Sequence, residues 1–231
     1  MWNDKYRSLL NSPYFKRKTK CSTCQEEFVA LALFDELGPL NKWCVEVGAH
    51  NGVVGSNTYQ LIMEKGWNSL QIEGNPILYK ECVDAYSKVK DRVIVLNQQI
   101  TSGFLDDANH FNAFPQRGHL DGILEQSRLP KNLDFLVIDV DGFDFEVWYN
   151  LKNHEPNVVL IEYNPFELDP KVVDYDPSFK LYQYTGRRLG YGGASLGLLN
   201  KVAEDKGYDN LYYENNNAFF IRKEFGEPLL V

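Results

Sequence analysis

Four carboxylates each stand at the end of a short apolar run: Glu46 after Trp43-Cys44-Val45, Glu73 after Ser69-Leu70-Gln71-Ile72, Asp139 after Phe135-Leu136-Val137-Ile138, and Glu162 after Val158-Val159-Leu160-Ile161. An acid at the tip of a buried strand has a specific use. In open α/β sheets, ligands bind at the carboxyl ends of the strands, and an acid at the second strand's end, about twenty residues past a glycine turn, holds a ribose diol. A carboxylate accepts hydrogen bonds from both hydroxyls at once, which neutral side chains do less well. Glu73 occupies that place.

The strand carrying Glu46 runs into Gly48-Ala49-His50-Asn51-Gly52, a small-residue turn followed by helix-compatible sequence from Ser56. Strand, glycine turn and helix together make a floor for a nucleotide-like cofactor, because side chains at the glycines would block its approach to the backbone. The expected cradle is Glu46, Gly48, Ala49, His50, Asn51 and Gly52 with Glu73, Gly74 and Asn75. Pro76 is placed to open the next helix. Glu46 and the Gly48 turn would hold the far end of such a cofactor, and Gln98 and Gln99, after a third strand at Arg92–Asn97, would reach its base.

The elements that must position these residues alternate. Residues 26–37 carry apolar side chains at helical spacing and end at Gly38-Pro39; helices are expected over 56–65, 76–88, 144–151 and 193–206, the last closed by Gly207. Two strands flanking a turn at Glu214–Asn217 then form a hairpin. The expected organisation is a lead-in with one helix over 1–40, one α/β domain over 41–225 and a tail over 226–231. The segments 99–131 and 164–191 show no regular pattern, and long loops of this kind at a ligand edge are natural substrate walls. In the second, Tyr184 could stack on a ring, as could Tyr175, Tyr182 and Tyr191, while Arg187 and Arg188 could hold a carboxylate or phosphate.

The run VEVGAHNG, then IEGNP, DFLVIDVDGFDFEVW and VVLIEYNP, closing with GASLGLLNKVAEDKGY and NAFFIRK, resembles the FkbM-type family of S-adenosylmethionine (SAM) dependent methyltransferases, over about residues 43–223. The first motif is generic to class I methyltransferases; the IDVDG segment and the order of the motifs are more specific. The resemblance implies a Rossmann-like, mostly parallel sheet of about seven strands with an antiparallel C-terminal hairpin and helices on both faces. It also implies SAM as cofactor, O-methylation of a small-molecule or sugar hydroxyl, and an Asp139 region facing methyl donor and acceptor.

Asp139-Val140-Asp141-Gly142-Phe143-Asp144 leaves three roles open. Asp139 and Asp141 could hold a divalent cation that orients and acidifies a substrate hydroxyl. Either could serve as the base directly. Asp141 and Asp144 could instead charge a helix start. The spacing does not match a calcium-binding EF-hand, in which glycine is sixth of twelve. Of the histidines His50, His110, His119 and His154, His119 in the first long loop is the chosen candidate base, on position alone.

Composition narrows the field. A formal net charge of −8 argues against binding a phosphate backbone, and the basic run Lys16–Lys20 reads as a solvated segment. No stretch approaches the ~20 apolar residues of a membrane span, and the opening residues lack a signal peptide's apolar core, so a cytosolic chain is expected. Cys21-Ser22-Thr23-Cys24 has no second pair with which to hold zinc, and Cys44 and Cys82 read as core thiols. Two other functions use the same features. A nucleotide-dependent oxidoreductase would share the turn, although Gly48, Gly52 and Gly55 do not make the full GxGxxG. A non-catalytic binding domain would need only the core.

Overall fold

The computed structural model describes residues 3–13, 25–100, 117–140, 142, 144–166, 172–173 and 193–229. Seven strands form one sheet: β1 (Trp43–Val47), β2 (Asn68–Glu73), β3 (Val93–Asn97), β4 (Phe135–Ile138), β5 (Val158–Glu162), β6 (Tyr208–Glu214) and β7 (Asn217–Arg222). Their spatial order is β6-β7-β5-β4-β1-β2-β3. The five strands β1 to β5 run parallel, whereas β7 lies antiparallel between β5 and β6.

Strand sequence sets the two cores. Successive side chains point to opposite faces. Cys44, Phe135, Val137, Val158, Leu160, Phe219 and Ile221 therefore share one face, and Val45, Val47, Leu70, Ile72, Leu136, Ile138, Val159, Ile161 and Phe220 the other. The first face is covered by α1 (Gln25–Leu37), α2 (Tyr59–Met63) and α3 (Pro76–Ala85), through residues such as Val29, Leu33, Leu61 and Cys82. The second is covered by α4 (Leu120–Gln126), α5 (Asp144–Asn150) and α6 (Leu196–Asp205), through Ile123, Leu124, Trp148, Leu199 and Val202. Both faces are covered, and the central strands β4 and β5 are accordingly near-continuous apolar runs. A short helix, α7 (Lys223–Gly226), follows β7. The N-terminal 3-10 helix at Asp4–Asn11 buries Tyr6 and Leu9 in the same core as α1.

At the amino end of the sheet, the fully buried Asp134 accepts hydrogen bonds from the backbone N–H groups of Leu40, Asn41 and Lys42 and from Asn157 Nδ2, at 2.7–2.9 Å. It thereby fixes the entry into β1. Cys44 and Cys82 are free and buried, and burial pushes both thiols up to about 12. Among the described residues, no helix is long and apolar enough to cross a membrane.

Several elements differ from the sequence expectation for local reasons. The helix expected over 56–65 is only Tyr59–Met63, because Ser56, Asn57 and Thr58 are diverted to the Glu46 carboxylate. Short polar side chains compete with helical bonding in this way. The helix expected from Gly193 begins at Leu196, where the Ser195 hydroxyl accepts from Leu198 N–H; Gly193–Ala194 instead pairs antiparallel with Val172–Val173. Gly207, at φ +82°, ends that helix as expected. The hairpin turn tightens to Asn215-Asn216, with Asn215 at φ +53°. Within 99–131, read as irregular, lie α4 and a parallel pair of two-residue strands, Gln99–Ile100 with Arg117–Gly118.

Candidate cofactor and acceptor site

The glycine turn and the tip of β2 are bound to each other. Gly48 N–H and Ala49 N–H both donate to the Ile72 carbonyl, at 2.9 and 3.0 Å. The Glu73 carboxylate accepts His50 N–H at Oε2 (2.8 Å) and Asn75 N–H at Oε1 (2.6 Å), and the residue is 8% exposed. His50 itself sits at φ +50°, a region that histidine enters more readily than most residues. Asn75 caps α3 by accepting from Ile77 and Leu78 N–H.

Space requires glycine at Gly48, and at Gly74 a side chain would have to displace Gln99. A Cβ on Gly48, at φ +84°, would lie 1.8 Å from the Asp139 carbonyl oxygen. A Cβ on Gly74 would lie 2.3 Å from Gln99 Oε1. Gly52 packs away from the turn's open side: its missing Cβ would meet Tyr86 and Cys82, and Tyr86 donates its hydroxyl to the Gly52 carbonyl at 2.7 Å. Asn51 turns the loop by accepting from Val53 and Val54 N–H.

Above these residues opens a cavity of about 450 Å³ at the carboxyl edge of the sheet. Glu46, Gly48, Ala49, His50, Glu73, Gly74, Asn75, Gln98, Gln99 and Asp139 all line it, joined by Gly55, Ser56, Asn57 and Leu78, which sequence reasoning did not single out. Asn51 and Gly52 shape the turn without lining the cavity.

Glu46, on the cavity wall, is also engaged by the loop that follows the turn. Its Oε2 accepts from the Ser56 and Thr58 hydroxyls at 2.7 and 2.6 Å, and its Oε1 from Asn57 N–H at 2.7 Å. Burial raises this carboxyl above the usual range, and the three hydrogen bonds oppose that rise. Glu46 therefore braces the 56–58 loop. The Thr58 hydroxyl accepts in turn from Gln71 Nε2 on the neighbouring strand, at 3.1 Å.

Beyond Asp139 the chain brings three carboxylates together. Ligand oxygens of Asp139, Asp144 and Glu162 lie within 4.8 Å of one another. Asp144 is buried and accepts from Val140 N–H at 2.8 Å and Gly142 N–H at 3.0 Å. Its pKa is raised well above that of an ordinary aspartate, first by burial and then by Glu162 and Asp139. Glu162 accepts from Asn216 Nδ2, and Asp139 is exposed at the cavity wall. Asp141, the expected partner of Asp139, lies outside the described residues, as do His110, Cys21, Cys24, Lys16–Lys20, Tyr175, Tyr182, Tyr184, Tyr191, Arg187 and Arg188. His119 stands exposed at the start of α4 and is not among the cavity-lining residues. His154 is buried beside Asp121, 2.9 Å away, at the amino end of the sheet.

The sequence model of the methyltransferase FkbM domain matches residues 46–191, which begin at Glu46 itself. The chain belongs to the FkbM methyltransferase family. The FkbM chain accordingly has a Rossmann-like methyltransferase fold, mostly parallel with antiparallel C-terminal strands. No curated protein matches it in sequence. Among solved structures, it is similar to the METTL16 methyltransferase domain at 12% identity (TM-score 0.46; 84% of this chain, 65% of that one). It is similar to an O-methyltransferase from Bacillus cereus in complex with SAH at 16% identity (TM-score 0.40; 68% and 65%). It is likewise similar to the SAH-bound Podospora anserina methyltransferase PaMTH1 at 14% identity (TM-score 0.49; 96% and 88%). The chain thus spans just under two thirds of the length of the first two.

Proposed function

We propose that this FkbM chain is a SAM-dependent O-methyltransferase acting on a hydroxyl of a small molecule or sugar. The observation that supports it most is the Glu73 carboxylate. It stands at the tip of β2 on the cavity wall, aimed by His50 and Asn75 amides, beside two glycines whose Cβ atoms would collide with the neighbouring backbone or side chain. Such a cradle fits a nucleoside with a diol. In this reading Glu73 takes the ribose hydroxyls, the Gly48-Ala49-His50 turn, its N–H groups held by Ile72 and Glu73, lies beside the amino-acid end, and Gln98 and Gln99 flank the adenine. When bound, SAM supplies a sulfonium whose methyl group is already activated for transfer.

The protein's remaining task is alignment and a proton. Holding donor and nucleophile in line is worth effective molarities of ~10⁵–10⁸ M. A hydroxyl acceptor must also lose its proton, and Asp139, exposed on the cavity wall, is the carboxylate assigned that role in this reading. Burial draws the Asp144 carboxyl toward its neutral form, which eases the repulsion among the three acids, and Asp139 is the proposed base. Tyr184, Arg187 and Arg188 remain candidates for the acceptor wall.

Calorimetry with SAM and SAH tests this reading. Saturation at about a hundred times the dissociation constant adds ~2.7 kcal/mol of stability. At this chain length that is a melting shift of roughly 5–10 °C. Release of SAH over a panel of hydroxylated acceptors then identifies the substrate. No heat and no melting shift with either ligand, with both appearing for NAD, would replace the methyltransferase by an oxidoreductase.

A further inference from the structure

A buried carboxylate outside the cofactor cavity reaches the loop that walls it. Glu27, on α1, is 1% exposed, and a charge so placed is costly unless donors serve it. Both of its donors come from one residue: Gln60 N–H binds Oε1 at 2.7 Å and Gln60 Nε2 binds Oε2 at 2.7 Å. Gln60 is the second residue of α2, so its N–H is one of those that a helix start leaves without an intrahelical partner. Thr58, at the cap, supplies no side-chain hydrogen bond to this end. The end of α2 is thus capped by a carboxylate from a different helix.

Immediately before α2, Ser56, Asn57 and Thr58 serve Glu46, and Gly55, Ser56 and Asn57 form part of the cavity wall. The segment is therefore clasped between two buried acids, Glu46 at 56–58 and Glu27 at residue 60. We propose that Glu27 is a positioning residue for the cofactor site: by docking α1 on Gln60 it fixes the 55–57 wall in its binding geometry. The inference rests on the cofactor reading above. Glu27 precedes the region matched by the family model, so this tether comes from sequence outside the matched domain.

Coupling between two sites through a shared element changes affinity by about five-fold or more. Glu27→Met keeps volume but removes both acceptors, leaving the Gln60 N–H buried and unserved. SAH should then bind at least about five-fold more weakly, and amides 57–62 should exchange faster. Glu27→Gln should restore both, because its oxygen accepts the Gln60 N–H and its nitrogen donates to the Gln60 side-chain oxygen once that amide turns over. Val29→Ala, which thins a buried contact of the same helix, should lower stability and leave SAH affinity intact. Should Glu27→Met not fold, the wild-type chain still decides the matter. SAH should slow amide exchange in α1 as well as at 57–62, while the β6–β7 hairpin is unchanged. Unaltered α1 exchange, or a folded Glu27→Met that binds SAH as the wild type does, would overturn the proposal. A wild-type chain that binds no SAH would instead overturn the cofactor reading beneath it.

Discussion

The Glu73 carboxylate accepts the backbone N–H of His50 across 2.8 Å, so the acid at the tip of β2 and the turn after β1 are tied together. Glu73→Gln tests its value. The substitution keeps size but gives up charge, and SAM affinity is expected to fall by about 1.5–3 kcal/mol, the range for a charge-assisted hydrogen bond. The fold should persist, since the residue lines a cavity edge. Titration calorimetry on the folded variant measures it, and an unchanged affinity would remove Glu73 from the ribose.

Gly48 and Gly55 separate backbone strain from collision. Both have positive φ, +84° and +74°, but a Cβ on Gly55 meets nothing within 4 Å whereas one on Gly48 lies 1.8 Å from a carbonyl oxygen. Gly55→Ala is expected to cost roughly 1–2 kcal/mol, the price of left-handed backbone alone. Gly48→Ala should cost clearly more and abolish SAM binding. Urea unfolding of the pair, read side by side, checks the ranking.

Methyl transfer is expected to survive exhaustive chelation. Asp144 is pinned by two backbone amides and drawn toward its neutral form, so a proton can take the place that a cation would hold among Asp139, Asp144 and Glu162. Asp139→Asn should then cut turnover about 10²–10⁴-fold, the contribution of a general base, with SAH still bound. Loss of turnover on chelation, restored by magnesium, would instead make the cluster a metal site.

Glu27 makes stability depend on pH. Burial is the main cause that raises its carboxyl from 4.5 to about 7, with Glu46 and Glu64 adding to the rise and the Gln60 hydrogen bonds opposing it. The folded chain therefore holds this proton more tightly than the unfolded one. Its favourable contribution is complete below 4.5 and is lost as pH rises through about 7. Glu27→Gln has no such proton, so its stability relative to wild type should increase between pH 5 and pH 8. Parallel denaturant curves at those two values give the sign.

The central strands β4 and β5 were legible because each is a contiguous apolar run with a carboxylate at its end, and a strand buried on both faces needs nothing else. The place of Glu73 at the tip of β2 was legible from its distance past the glycine turn. The partners of Glu46 were not, because Ser56, Asn57 and Thr58 lie across a turn and their side chains read equally well as a helix start. α4 was hidden by Gly122 and by its shortness, although Leu120, Ile123 and Leu124 carry the helical spacing. Glu27 gave no signal at all: it adjoins the apolar stripe of α1, and only the tertiary approach of Gln60 explains an acid there.

The place of β7 has a consequence for synthesis. Its residues Ala218, Phe219, Phe220 and Ile221 are wholly buried between β5 and β6. Until residue 222 has cleared the ribosome, the open flank of β5 presents unpaired backbone and uncovered apolar side chains. Exposed strand edges of this kind recruit neighbouring chains. The stage before β7 pairs is therefore the one most open to association between chains.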